Sequence, residues 1–187
     1  MDPETLARAV EAVLFASPEP VPLARLVDLL GPEGADRQAV LEALARLERA
    51  LAGRAVEVRE VAGGYQLRTR PEFAPFLARL EVPRPVRFSR AALETLAIVA
   101  YRQPVTRAEV EEVRGVDCGG VLKSLAEKGL VRIVGKKDVP GRPLLYGTTR
   151  KFLEVFGLAS LADLPSLQEI EELLAQEEKP GDPPGAA

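Results

Sequence analysis

Histidine and tryptophan are absent from the 187-residue sequence, and cysteine occurs once, at Cys118. Each absence removes a class of function. Without His there is no imidazole to act as general acid or base. A zinc site needs several His or Cys ligands, so a single Cys excludes one. It also excludes a disulfide within the chain, and its solitary use fits a reducing compartment. With no His to activate it, Cys118 reads as inert. No Walker-type glycine-rich phosphate loop occurs. The acidic pairs Glu111-Glu112 and Glu171-Glu172 are adjacent, point in different directions on a helix, and read as solvated faces. These gaps predict no catalytic residue, metal or cofactor, and hence no enzyme. No apolar run approaches the roughly 20 residues of a membrane span. The first residues, Met1-Asp2-Pro3-Glu4, are acidic where a signal peptide is basic. The expectation is a soluble cytoplasmic protein.

What the chain has is aliphatic. Hydrophobic residues make up 47% of the sequence and aromatics 5%, which supplies a packed core of Leu, Val and Ala. At about 100–200 residues per domain, the length allows one domain or two small ones. The net charge of −3 conceals a division. Residues 1–80 carry 10 basic and 12 acidic side chains, residues 81–157 carry 14 and 9, and residues 158–187 carry 1 and 7. A basic middle before an acidic tail points to self-contact or a charged partner.

The spacing of Leu6, Val10, Val13 and Leu14 predicts a helix over residues 5–16, stopped by Ser17-Pro18-Glu19-Pro20. A second helix is expected from Pro22, suited to a first turn, to Gly31, suited to a C-terminal cap. A third runs over residues 36–52, with Asp36 as cap and Val40, Leu41, Leu44, Leu47 and Leu51 on one stripe. The pattern then alternates over residues 56–61 and 65–69, with Gly63-Gly64 as the hairpin turn. Three helices and a hairpin spell a winged helix. After Val82-Pro83-Arg84-Pro85, read as a stiff linker, the order returns. Helices are expected over residues 89–102, 105–115 and 117–128, with a break at Gln103-Pro104. Strands follow at residues 131–134 and 144–146, joined by a longer, more basic wing over residues 135–143.

The repeat holds residue by residue. At an offset of 84, Pro20-Val21 meets Pro104-Val105, Leu14 meets Ile98 and Gly31 meets Gly115. At an offset of 81, Val40-Leu41 meets Val121-Leu122 and Tyr65 meets Tyr146. Stop signals and core positions recur in one order, as duplication produces. The predicted fold class is therefore α+β, mainly helical, with two tandem winged-helix domains over residues 1–80 and 87–165. A linker occupies residues 81–86 and an acidic C-terminal tail residues 166–187. In the tail, Leu167, Ile170, Leu173 and Leu174 have helical spacing, and the Pro/Gly-rich end from residue 179 reads as disordered.

The second unit reads Ser89-Arg90-Ala91-Ala92-Leu93-Glu94-Thr95-Leu96-Ala97-Ile98-Val99-Ala100-Tyr101-Arg102-Gln103-Pro104-Val105-Thr106-Arg107-Ala108-Glu109-Val110, followed by Arg114-Gly115-Val116, Pro140-Gly141-Arg142-Pro143-Leu144-Leu145-Tyr146-Gly147-Thr148-Thr149, Phe152-Leu153 and Phe156-Gly157-Leu158. This closely resembles the segregation and condensation protein B family. Leu14-Phe15-Ala16-Ser17-Pro18-Glu19-Pro20-Val21 and Gly64-Tyr65-Gln66-Leu67-Arg68-Thr69 look like the same family, and the resemblance spans about residues 8–165. It implies two winged-helix domains and a bacterial cytoplasmic, nucleoid-associated role in chromosome condensation and segregation. It also implies dimerisation, mainly through the first domain. The implied partner is a kleisin, segregation and condensation protein A, which bridges the heads of a structural-maintenance-of-chromosomes ATPase.

The residues themselves leave alternatives open. In the second wing, Lys136, Lys137 and Arg142 oppose only Asp138. Either this is a solvated loop shaped by Pro140, Gly141 and Pro143, or it meets an acidic partner segment or a phosphate. Arg142 is the favoured contact, because a guanidinium flanked by prolines is held for bidentate bonding. Tyr146, Phe152 and Phe156 read as core or as partner anchors, with Tyr101 and Arg102 bordering the same groove. Arg114 and Pro143 complete the candidate kleisin-binding set. Leu14, Phe15, Leu26, Leu29 and Leu30 form the candidate dimer interface, unless a small core uses them all. Winged helices often bind DNA through the third helix. Here Arg37, Arg46 and Arg49 are offset by Asp36, Glu42 and Glu48, and Lys123 and Lys128 by Asp117 and Glu127. That is not the basic footprint phosphate neutralisation needs, so direct DNA binding is expected to be weak or absent. A DNA-binding transcriptional regulator is the alternative function.

Overall fold

Helices dominate a mixed α+β chain in the computed structural model, which describes residues 1–80, 88–166 and 168–169. The expected linker over residues 81–86 and most of the tail lie outside the described residues. In the first half, α1 (Pro3–Ala16) begins earlier than its apolar pattern because Asp2 caps it, its carboxylate accepting from the amides of Glu4 and Thr5. α2 (Leu23–Leu30) and α3 (Arg37–Ala50) follow, with Asp36 accepting from the Ala39 amide at 2.8 Å. Their inward stripes bury Leu6, Val10, Leu14, Leu26, Leu30, Val40, Leu44 and Leu47 in one cluster. Fully burying each such aliphatic contributes about 1.5–3 kcal/mol. Gly31 is not the expected left-handed cap. Its φ is −59°, the chain continues into a 3-10 turn, and Gly34 takes the left-handed turn at φ 86°.

The hairpin pairs β1 (Val56–Val61) with β2 (Gly64–Thr69) in antiparallel register. Its turn is Ala62-Gly63, at φ 51° and 69°, one residue earlier than expected. Gly64 is the first residue of β2, and the reason it is Gly is packing. A Cβ there would sit 2.8 Å from the Val21 carbonyl carbon and 3.0 Å from Pro20 C and Pro22 N. That close approach is fixed by the Val21↔Tyr65 bridge, whose two backbone hydrogen bonds are each 2.8 Å.

The second half repeats the order with a larger sheet. Ser89 caps α5 (Arg90–Arg102). Val105 and Thr106, expected to open a helix, instead form β3 (Val105–Thr106) against the last strand. Thr106 then caps α6 (Arg107–Arg114) in a reciprocal box with Glu109, and Gly115 closes it at φ 70°. α7 (Gly119–Glu127) leads into β4 (Val131–Lys136) and β5 (Leu144–Thr148), giving an antiparallel sheet in the order β3-β5-β4. Val105 pairs with Tyr146 as Val21 pairs with Tyr65, so the sequence repeat has a counterpart in strand pairing. The sequence pattern gave no sign of α4 (Ala74–Leu77) or of α8 (Arg150–Phe156), which Thr149 caps. A separate cluster around Leu96, Val99, Val110, Leu122, Leu125 and Phe152 forms the second core.

The halves touch through a small polar joint. The amides of Ala62 and Gly63 donate to the carbonyls of Leu158 (2.8 Å) and Ala159 (3.0 Å). Arg68 donates to the Glu154 carbonyl at 2.9 Å, near the C-terminal end of α8, and Arg150 to the Pro20 carbonyl at 3.0 Å. Arg68 thereby places a cation where the α8 dipole is negative.

Candidate functional site: an apolar groove on the second half

α5 carries two apolar stripes. Leu96 and Val99 turn into the core and are 1% and 0% exposed. Leu93, Ala97 and Tyr101, four residues apart, form the other stripe. Phe152 and Phe156 of α8 face it, and Leu158, Leu164 and Pro165 close it, leaving a groove of about 320 Å³. That volume falls in the range of ligand clefts. Leu93, Tyr101 and Phe156 remain 44%, 44% and 41% exposed, an apolar surface without a cover among the described residues. The rings are ordered by their neighbours. Phe156 lies 4.9 Å from Phe152 and stacks on Phe88 at 6.2 Å. The Tyr101 hydroxyl crosses the groove and donates to the Pro165 carbonyl at 2.6 Å.

The ten candidate partner residues do not form one site. Tyr101, Phe152 and Phe156 meet in the groove, although Phe152, 3% exposed, belongs mainly to the core. Arg102, which follows Tyr101, is exposed. Arg114 leaves the set. Its side chain is 8% exposed and bonds Glu94 at 3.4 Å, tying α6 to α5. Its Nε has no hydrogen-bond partner among the described residues.

Lys137 also leaves the set as a free contact. Its ammonium bonds Glu109 at 2.5 Å and clamps the base of the wing to α6. That bond, with those from Thr106, holds the Glu109 carboxyl down at about 2. Pro143 sits at the same wing base, its carbonyl accepting from the Lys137 amide at 2.9 Å. Tyr146 is half-buried against the core. Lys136 and Arg142 are exposed on the wing, with Arg142 in a left-handed turn at φ 40°.

Three of the five candidate dimer residues are interior. Leu14, Leu26 and Leu30 are 2%, 0% and 6% exposed, because a small three-helix core consumes nearly every Leu. Phe15 at 84% and Leu29 at 42% stay on the surface. Cations of the third helices turn to their own chain: Arg46 to Glu4, Arg49 to the Ala45 carbonyl, Lys123 to Glu127 and Lys128 to Ser124. Cys118 is wholly buried, and burial raises its thiol pKa above the ordinary value. No group of three or more acidic, Cys or His side chains stands where a metal could bind, among the described residues. No described helix is long and apolar enough to cross a membrane.

Sequence reasoning missed Leu93, Ala97, Leu158, Leu164 and Pro165 as groove residues. The signal for the first two was the second stripe on α5. The last three come from the connector, whose course over the helices nothing local encodes.

The family model described as Segregation and condensation complex subunit ScpB matches residues 8–167. The chain belongs to this family. A Syntrophotalea carbinolica relative named Segregation and condensation protein B is 58% identical over 180 residues, covering 95% of this chain and 90% of the relative. Another of that name, from Moorella thermoacetica, is 50% identical over 169 residues, covering 89% and 85%. Among solved structures, ScpB from Mycobacterium tuberculosis is 36% identical, covers 84% of this chain and 98% of that one, and aligns with a TM-score of 0.39. ScpB membership places the chain in chromosome segregation and condensation, and the groove lies within the residues the family model matches.

Proposed function

We propose that the chain is a non-enzymatic cytoplasmic adaptor that holds a kleisin segment in the groove of its second half and, through the kleisin, meets the SMC ATPase at the nucleoid. The groove between α5 and α8 carries this reading: Leu93, Tyr101 and Phe156 present an aromatic and aliphatic surface of the kind that anchors a partner helix or strand. The exposed cations Arg102, Lys136 and Arg142 belong to the same half and favour acidic residues in the partner. Each half is a winged-helix domain, over residues 1–80 and 87–165, with three helices, a hairpin and its own core in support. The first domain dimerises through a face that includes Phe15 and Leu29, the two candidates left on the surface.

The test is calorimetric titration of a kleisin chain into wild type and the Leu93→Glu variant. A carboxylate in the apolar groove should weaken binding by at least a hundredfold while circular dichroism stays native. Equal affinities would move the site elsewhere. Phe15→Glu should turn a dimer into a monomer in sedimentation equilibrium and leave kleisin binding by the monomer intact. The regulator alternative draws support only from the wing cations Lys136 and Arg142. It requires tight duplex binding that collapses between low and physiological salt, whereas the adaptor requires little duplex affinity at either.

A further inference from the structure

We propose that the free edge of β4 takes an extended acidic segment of a partner chain as a fourth strand of the second sheet. The edge shares no residue with the groove between α5 and α8. The proposal stands whether or not a kleisin fills that groove.

The backbone sets out the edge. In the order β3-β5-β4, β4 has a strand neighbour on one side only. Residues of an antiparallel pair alternate between those that exchange hydrogen bonds with the partner strand and those that face away from it. The Thr149 amide donates to the Leu130 carbonyl at 3.2 Å, and the Lys137 amide to the Pro143 carbonyl at 2.9 Å. These two bonds fix the phase at either end of β4. Counted inward, and across the bulge between Ile133 and Gly135, Ile133 and Lys136 turn their amides and carbonyls away from β5. Among the described residues nothing pairs with those four groups.

The side chains beside them combine two chemistries. Ile133 and Val134 are 55% and 42% exposed. Arg132 and Lys136 on the strand, and Arg142 at the wing tip, are exposed and make no ion pair among the described residues. Unanswered cations next to exposed aliphatics are complementary to a strand that carries carboxylates and apolar side chains together. Strand addition of this kind draws affinity from main-chain hydrogen bonds and selectivity from the flanking side chains.

The first half supplies an internal control, because β1 holds the corresponding place there. Its hairpin leaves no large hydrophobic side chain exposed over residues 56–69. Its cations are answered within the chain: Arg59 and Arg70 both turn to Glu57, at 2.9 and 3.0 Å. A bulge and edge lysines are also how sheets refuse stray strands. Refusal does not call for exposed aliphatics, and the first edge does without them. On β4 the bulge spaces the two outward residues three apart, so an unmatched strand pairs poorly and the charges select which strand stays.

The probe is an acetylated heptapeptide of alternating valine and glutamate, titrated into the full chain, with a valine–lysine heptapeptide as its counterpart. The acidic peptide should bind at least tenfold more tightly, and more weakly as salt rises from about 50 to 200 mM. Hydrogen exchange followed by NMR should show the Ile133 and Lys136 amides slowed about tenfold by the acidic peptide. Lys136→Glu with Arg142→Glu should lower its affinity about tenfold. Ile133→Pro deletes an outward donor without touching the ladder to β5, and should abolish binding while circular dichroism stays native. If that variant misfolds, the exchange measurement on the wild-type chain still decides. Leu93→Glu, in the groove, should leave the peptide affinity unchanged. No binding of the acidic peptide, or binding without slowed exchange at Ile133 and Lys136, overturns the proposal. Slow exchange at those amides that depends on protein concentration without peptide also overturns it, assigning the edge to a second copy. Duplex DNA that displaces the peptide and loses affinity on the same charge reversals overturns it too, assigning the wing to phosphate.

Discussion

Replacing Gly64 by Ala isolates a packing contact from a turn preference. The added Cβ would lie 2.8 Å from Val21 C and 3.0 Å from Pro20 C and Pro22 N. All three are backbone atoms, so no side chain can swing aside. Reaching ordinary contact at 3.4 Å requires the segment to retreat by about 0.6 Å. That segment is held by two 2.8 Å hydrogen bonds between Val21 and Tyr65, and its Pro20 carbonyl accepts from Arg150. Overpacking costs about 1–3 kcal/mol, and stretching two backbone hydrogen bonds costs up to about 1 kcal/mol each. The expected loss is therefore about 2–4 kcal/mol. At roughly 4–8 °C per kcal/mol for a unit of this size, the first half should melt on the order of 10–30 °C lower. Gly63→Ala is the control, since its Cβ meets nothing within 4 Å and only its φ of 69° is strained, for about 1–2 kcal/mol. Scanning calorimetry of the two variants in one buffer decides the matter. A Gly64→Ala melt within 2 °C of wild type (~0.5 kcal/mol by the same conversion), or a larger drop for Gly63→Ala, refutes the reasoning.

Three further outcomes are expected. Arg68→Ala removes the donor to the Glu154 carbonyl and should raise amide exchange at Ala62 and Gly63 about tenfold while both halves melt nearly as before; unchanged exchange would mean the joint does not depend on Arg68. Lys137→Met should destabilise the second half above pH 4.5, where Glu109 is ionised in folded and unfolded chains alike. Because the folded Glu109 pKa is depressed to about 2, its contribution is lost as pH falls from 4.5 towards 2, so the gap between variant and wild type in urea melts should close over that window. Cys118, wholly buried with its thiol pushed up by burial, should resist alkylation at neutral pH and react fully in denaturant.

The sequence was most legible where a single stripe of aliphatics decides an element. Leu6, Val10 and Leu14, or Val40, Leu44 and Leu47, have one way to be buried, and they take it. It was least legible where a residue answers to something distant. Gly64 looked like a turn residue because the backbone it packs against lies about 43 residues away. Val105 and Thr106 looked helical because their pairing with Tyr146 and Leu145 is not local. Lys137 looked like a free cation because Glu109 precedes it by 28 residues. Leu14, Leu26 and Leu30 turned inward for the opposite reason: in a small core the supply of Leu is not in excess. For the groove, the aromatic half was readable from Tyr101, Phe152 and Phe156, whereas the connector half depended on how the chain crosses α5.

The joint between the halves has a further consequence. Among the described residues, two of its four bonds run from main-chain amides, those of Ala62 and Gly63, to main-chain carbonyls. Every amino acid except proline supplies the same amide. Sequence drift at those positions can strain the turn, yet it cannot delete the donor. The attachment is thus written in the part of the polymer that substitution does not edit, and only Arg68 and Arg150 leave it open to adjustment. A hairpin tip that would otherwise offer its amides to solvent is instead spent inside the molecule, as a fastening between its two halves.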